Sequence, residues 1–281
     1  MRKRFGVIGG DRRQAELAKL LRLDGRDVVT YGLCHWTGAA DAPLEEAVKA
    51  DVAILPLPLC KEPGILHCLH EKISTAELFR LLMPDQLILA GQVYPAQQKE
   101  AAGLNLVDYF LREDLTVANA AATAEAAIQV AMEHLERTLL GMNCLVLGFG
   151  RIGKLLAHRL RGMGVHVTAT ARKAEDLAWI RAYGFSALET ERLNGMLADF
   201  DAVFNTVPSL VLGADLVEQL KPTCLCVDVA SVPGIDLTKA KERGLPQIWA
   251  RALPGRMVPV SAAQIIRDAI YYILKERGDP M

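Results

Sequence analysis

Histidine runs out early in this chain. Six occur, and none follows His166. The rest of the sequence therefore offers no imidazole for general acid–base work. No apolar run approaches the ~20 residues of a membrane-spanning helix. No secretory signal is readable, because Met1-Arg-Lys-Arg leads straight into a strand pattern. Six cysteines lie scattered, which reads as a reducing cytoplasm rather than a disulfide framework. Charge of one sign is also missing. The formal net charge of −1 gives no bias toward nucleic acid or a membrane surface. Cys60, His67, Cys68 and His70 cluster in sequence, but their spacing matches no zinc pattern and no second pair supports them, so no metal is expected. No Ser-His-Asp or Cys-His arrangement is legible from spacing. What is present is a chain of 281 residues, 51% hydrophobic, enough for two domains of ordinary size.

The most informative stretch is Cys144-Leu-Val-Leu-Gly148-Phe149-Gly150-Arg151-Ile152-Gly153-Lys154. An apolar run reads as a buried parallel strand, and glycines follow at the spacing G-x-G-x-x-G. The first glycine allows a tight turn, the second lets a pyrophosphate approach the backbone, and the third lets the next helix pack close to the sheet. Leu155, Leu156, Leu160 and Met163 give that helix an apolar face, and Val165 to Ala171 alternates as a second strand. This is the context of a dinucleotide site, with a plain tight βα turn as the alternative. An NAD site usually carries a carboxylate at the end of the second strand. That place falls on Ala171, followed by Arg172 and Lys173. Two cations and the Thr170 hydroxyl suit a 2′-phosphate, so NADP is expected over NAD. The alternative for Arg172 and Lys173 is a solvated helix start.

The fold class implied is α/β: two doubly wound parallel-sheet domains separated by a cleft and joined by a long helix, the second a Rossmann NAD(P)-binding domain. Residues 1–118 read as a flavodoxin- or Rossmann-like substrate domain, completed by a C-terminal helix over 261–281 that Ser261 caps. Its first turn, Gly9-Gly10-Asp11-Arg12-Arg13, lacks a third glycine and is a poor pyrophosphate cradle. Arg12 and Arg13 there either hold an anionic substrate or are surface arginines at a helix start. Pro56, Pro58 and Pro63 predict an irregular loop after the third strand. Residues 119–140 read as an Ala-rich connector helix whose start Asn119 or Thr123 caps, bringing free N–H groups to the cleft. Residues 141–260 form the cofactor domain. There Asn205-Thr206-Val207-Pro208 ends a strand over the cofactor, with Asn205 and Thr206 reaching toward the nicotinamide half. Arg251 to Arg256 reads as a loop.

The two-lobed layout is shared with D-2-hydroxyacid dehydrogenases, which need a late histidine and an arginine after a late strand. Neither is present, so hydride transfer to a 2-keto acid by that route is not expected. A more specific set consists of Gly10-Asp11-x-Arg13, Asn119…Thr123-Ala-Glu125, Val146-Leu-Gly-Phe-Gly-Arg-Ile-Gly153, Asn205-Thr-Val-Pro208, Asp228-x-x-Ser231-x-Pro-Gly234, and Leu253-Pro254-Gly255 with Pro259. With it, nearly the whole chain resembles the family of dipicolinate synthase A subunits of spore-forming bacteria. One departure is Ile235-Asp236-Leu237, where a further glycine and Asp-Phe are expected. The resemblance implies an NADP-linked oxidation yielding dipicolinate from the lysine-pathway intermediate 4-hydroxy-tetrahydrodipicolinate. It implies cytoplasmic action in the mother cell during sporulation. It also implies a partner in an oligomer, the flavoprotein-like B subunit of dipicolinate synthase. It places the dicarboxylate substrate near Asp11, Arg12, Arg13, Asn119, Thr123, Glu125, Pro254 and Gly255, and adds Ser231 to the cofactor set. Arg251 and Arg256 are further cations on loops expected to face the cleft. The general base is not assigned, with His67, Glu125 and Asp11 as options. Another NADP-dependent dehydrogenase acting on a different carboxylate, and a nucleotide-binding subunit without catalysis, remain the alternatives.

Overall fold

Short strands with apolar cores alternate with helices through most of the sequence, a pattern that suits parallel sheets covered on both faces. The computed structural model describes residues 3–279 and builds two such sheets. The chain divides into two compact units. One runs to Asn119 and resumes at Val258, and the other spans Ala120–Met257.

The first unit holds β1 (Arg4–Ile8), β2 (Asp27–Tyr31), β3 (Val52–Ile54), a hairpin of β4 (Cys60–Glu62) and β5 (Ile65–Leu66), β6 (Leu87–Ala90) and β7 (Asn105–Asp108). Its five-stranded sheet has the order β2-β1-β3-β6-β7, with every pair parallel. That is the flavodoxin-like order, whose switch point lies between β1 and β3. Phe5 and Val7 face one core with Leu17 and Leu21 of the first helix (Arg12–Leu23), and Ile8 faces the other. The C-terminal helix (Pro259–Glu276) lays Ala263, Ile266, Ile270 and Ile273 into the same core as Leu17 and Leu21. It begins two residues before Ser261. Pro259 takes the first turn and Val258 is the cap residue, so the expected serine cap is not formed.

The second unit holds β8 (Asn143–Leu147), β9 (His166–Ala171), β10 (Ser186–Glu189), β11 (Ala202–Asn205), β12 (Leu225–Asp228) and β13 (Gln247–Trp249). The order is β10-β9-β8-β11-β12-β13, again all parallel. This is the Rossmann order, with its switch point between β8 and β11. Cys144 and Val146 face one core, Leu145 and Leu147 the other, and all four are fully buried.

Two loop expectations change. The proline-rich segment after β3 is not wholly irregular, because β4 and β5 close a small antiparallel hairpin. Residues Leu253–Met257 are a short helix rather than a loop, entered through Ala252 at φ 54°. The connector helix also starts earlier than expected. It runs Glu113–His134, opening on Glu113 and Asp114, where acidic side chains favour the positive end of the dipole. Asn119 and Thr123 therefore sit inside the helix and do not cap it.

Candidate functional site

The second unit presents an open helix N-terminus at its switch point. Gly148 leaves β8 at φ +88°, and a side chain there would meet Val207 Cγ2 at 2.6 Å and Thr206 Oγ1 at 2.9 Å. A Cβ on Gly153 would run into the Gly148 carbonyl oxygen. Both positions need glycine so that strand, turn and helix can nest. Gly150 differs. Its φ is an ordinary −76°, and a Cβ there would meet nothing within 4 Å. It is also the cap residue of the helix Arg151–Gly162, and no side chain caps that helix. The first turn of the helix thus has no side-chain cap, at the positive end of a helix dipole and next to the open side of Gly150. This fits the pyrophosphate of a dinucleotide.

The neighbours of the cradle hold its shape. The Thr170 side chain is fully buried, and its hydroxyl accepts a hydrogen bond from the Gly148 N–H at 3.2 Å. Thr170 therefore anchors the turn and does not face a 2′-phosphate, which corrects the expectation for it. Arg172 and Lys173 are exposed directly after β9, and Lys173 Nζ lies 3.3 Å from Glu175 Oε1 on the surface. Phe149 is 4% exposed and packs near Phe185, so only its backbone is available to a ligand. Ile152 likewise packs against the core.

Asn205 is another correction. It is fully buried, donates to Asp228 Oδ1 at 3.0 Å and to the Val207 carbonyl at 2.9 Å, and accepts from the Val207 N–H. Its amide is spent on fixing the Asn205–Pro208 turn, so it cannot reach a nicotinamide. Thr206 donates to the Leu147 carbonyl at 2.8 Å and closes the same turn onto β8. Pro208 and Ser231 are exposed. Asp228 is the residue that sequence reasoning undervalues. Fully buried, it accepts from Asn205, from the Ala230 N–H, and from the Gly234 and Ile235 N–H groups at 2.7 and 3.1 Å. Burial raises its pKa against those four donors. It ties the β11 and β12 loops together, and Gly234 packs so close to Asn205 that a side chain there would clash with the amide. Pro254 is buried and Gly255 half-buried in the short helix. Glu125 lies exposed and pairs with Arg159 at 2.9 Å, which removes it as a free base. Asn119 is half-buried and Thr123 buried on the connector helix.

The first unit treats the equivalent turn differently. Asp11 caps the first helix by accepting from the Arg13 N–H at 3.0 Å, while the Asp11 N–H donates to Gln14 Oε1. The Arg13 guanidinium, 6% exposed, grips Asp11 through Nε at 2.9 Å and Nη2 at 2.8 Å, and Nη2 also donates to the Leu57 carbonyl. Burial pushes the Asp11 carboxyl up, but Arg13 outweighs it and holds the pKa below the usual carboxylate range. Arg12 is exposed. His67 Nε2 lies 4.0 Å from Asp11 Oδ2. Burial, then Lys61, push the His67 pKa down to about 4, so the ring is neutral near pH 7. Arg13, Asp11 and His67 are thus brought together at the β1–β3 switch point. Lys61, from β4, acts on the same group.

A Rossmann-ordered sheet, a glycine cradle and a second α/β unit define the class: a two-unit chain of dehydrogenase layout that binds a nicotinamide dinucleotide. Residues 112–238 match the D-isomer specific 2-hydroxyacid dehydrogenase, NAD binding domain, and residues 4–110 match the N-terminal domain of the dipicolinate synthase A subunit. The chain is a homologue of the dipicolinate synthase A subunit. It is 29% identical to the Bacillus subtilis (strain 168) protein of that name over 97% of this chain and 96% of that one. Solved structures of the dipicolinate synthase A subunit from Bacillus halodurans and from Bacillus subtilis superpose with TM-scores of 0.84 each. Their identities are 27% and 29%, and they cover 97% and 98% of this chain and 97% of each of those. D-lactate dehydrogenase from Escherichia coli shares the fold at 13% identity and TM-score 0.60, covering 99% of this chain and 98% of that one. No helix among the described residues is long and apolar enough to cross a membrane.

Proposed function

We propose that the chain is the A subunit of a dipicolinate synthase, oxidising dihydrodipicolinate, formed from 4-hydroxy-tetrahydrodipicolinate, to dipicolinate with NADP during sporulation. The observation that carries this reading is the pairing of two unlike turns. One is an uncapped glycine cradle followed by Arg172 and Lys173. The other is a cation-rich cluster around Arg13. Ala171 stands where a carboxylate would select the 2′-hydroxyl of NAD, and the exposed basic pair beyond it suits a 2′-phosphate.

The unit containing residues 1–118 and 261–281 would hold the dicarboxylate, and residues 141–260 the nucleotide. Gly148, Gly150 and Gly153 with the N–H groups of Arg151 and Ile152 would receive the pyrophosphate. The Thr206-Val207-Pro208 backbone and Ser231 flank the same switch point. Bound there, the nicotinamide supplies a hydride acceptor. The substrate ring loses a hydride and a proton, and aromatisation drives the step, so the side chains serve mainly to bind and orient. This is consistent with a chain that has no histidine beyond His166. Kinship with a protein named as one subunit of its enzyme supports partnership with a B subunit, and the two would act together in the mother cell.

The test is to combine the purified protein and its B subunit with 4-hydroxy-tetrahydrodipicolinate and follow NADPH and dipicolinate absorbance. Equimolar formation of both, with KM for NADP below that for NAD, is expected. A lower KM for NAD would overturn the cofactor assignment. Absence of NADPH despite tight nucleotide binding would favour a non-catalytic role.

A further inference from the structure

The hairpin of β4 and β5 is joined to the turn that follows β1. The Gly10 N–H donates to the His67 carbonyl at 2.6 Å, Gly10 forms a parallel bridge with Cys68, and the His67 N–H donates to the Leu59 carbonyl at 2.8 Å. These backbone bonds place His67 beside the Asp11–Arg13 turn, and Lys61, on the adjoining β4 strand, is near enough to lower the His67 pKa. The charges there do not balance. Asp11 is already neutralised by the bidentate Arg13 contact. Lys61 is exposed and makes no ion pair among the described residues, and partial desolvation with the repulsion of Arg13 lowers its pKa despite the attraction of Asp11. It is a cation at the surface with no acidic partner, within electrostatic reach of Arg13. The His67 ring, 5% exposed, keeps Nδ1 buried without a hydrogen-bond partner. An unsatisfied ring nitrogen at a buried site is costly, and an unpaired cation on the same hairpin offers charge to an anion whose oxygen atoms could satisfy it.

We propose that Lys61 and His67 form a carboxylate-binding subsite on the Asp11–Arg13 pair, taking one carboxylate of a small dicarboxylic acid. Lys61 supplies the charge and His67 a hydrogen bond. Arg13, locked by Asp11 and the Leu57 carbonyl, positions them and adds field. This deepens the proposed function and rests on it for the identity of the dicarboxylate. Arg12, the cation that the sequence offers most openly, is not needed.

The experiment is calorimetric titration of the full chain with two probes, pyridine-2,6-dicarboxylate and the aliphatic dicarboxylate pimelate. Lys61→Ala is expected to weaken binding about 10-fold, the worth of one charge-assisted hydrogen bond. Lys61→Arg should recover most of it. His67→Leu should weaken it by a smaller factor. Lys99→Ala, the same charge change on an exposed helix of this unit, should leave it unchanged. Melting temperature and NADP affinity should hold constant for Lys61→Ala, which separates a lost contact from a lost fold. Lys61-dependent binding of pimelate with no binding of the pyridine would uphold the subsite and overturn the ring chemistry proposed above. Equal affinities for wild type and Lys61→Ala, or no binding of either probe, would overturn the subsite.

Discussion

The turn after β1 and the turn after β8 occupy the same place in two similar sheets, yet one is closed and the other open. The first fills its helix N-terminus with Asp11, backed by a buried arginine. The second leaves its helix uncapped behind Gly150. A carboxylate at the first turn already holds the position that a phosphate would take, so that turn cannot be a second nucleotide site. The cap position separates the two turns: a side chain occupies it in the first and none does in the second.

Gly153→Ala should have the largest effect. The new methyl group meets the Gly148 carbonyl, which is backbone and cannot swing aside. A loss of about 3 kcal/mol or more in stability is expected, read as a lower denaturant midpoint, together with loss of nucleotide binding. Nearly as large is a pH effect confined to the first turn. His67 has a pKa near 4 in the folded chain against about 6.5 unfolded. The unfolded state therefore binds the extra proton first, and stability falls as pH drops from 6.5 toward 4. The loss is on the order of 3 kcal/mol. His67→Gln should remove that part of the pH dependence in parallel urea titrations.

Asp11→Ala should cost about 2 kcal/mol, from a lost cap and an unpaired, buried Arg13, without creating a nucleotide site. The smallest effect sharpens cofactor choice. Replacing Arg172 and Lys173 with alanine should raise KM for NADP about 10-fold, leave KM for NAD within twofold, and leave melting unchanged, because both side chains are exposed.

Much of this contrast is legible in the sequence, because glycine spacing encodes backbone geometry directly. The cradle and the alternation of strands and helices need only local rules. Long-range partners do not follow from such rules. Asn205 reads as a polar strand end facing a ligand, but its amide is taken by Asp228, 23 residues further on. Thr170 sits in the expected register with its hydroxyl turned under Gly148 rather than toward solvent. The connector start is hard to place because an alanine-rich run carries no start signal, while the acidic first turn of Glu113 and Asp114 lies upstream. Lys61 gives no signal of its own because prolines surround it. The short Cys60–Glu62 strand is stable only through its pairing with β5 and the turn beyond β1.

The most direct test is an NADP titration of wild type and Gly150→Asp, followed by fluorescence and by melting. The aspartate has room and an unstrained backbone, so the fold should survive with an unchanged melting temperature. Its charge enters the space meant for pyrophosphate, and affinity should fall on the order of 100-fold. Equal affinity in the two proteins would contradict a nucleotide site at this turn.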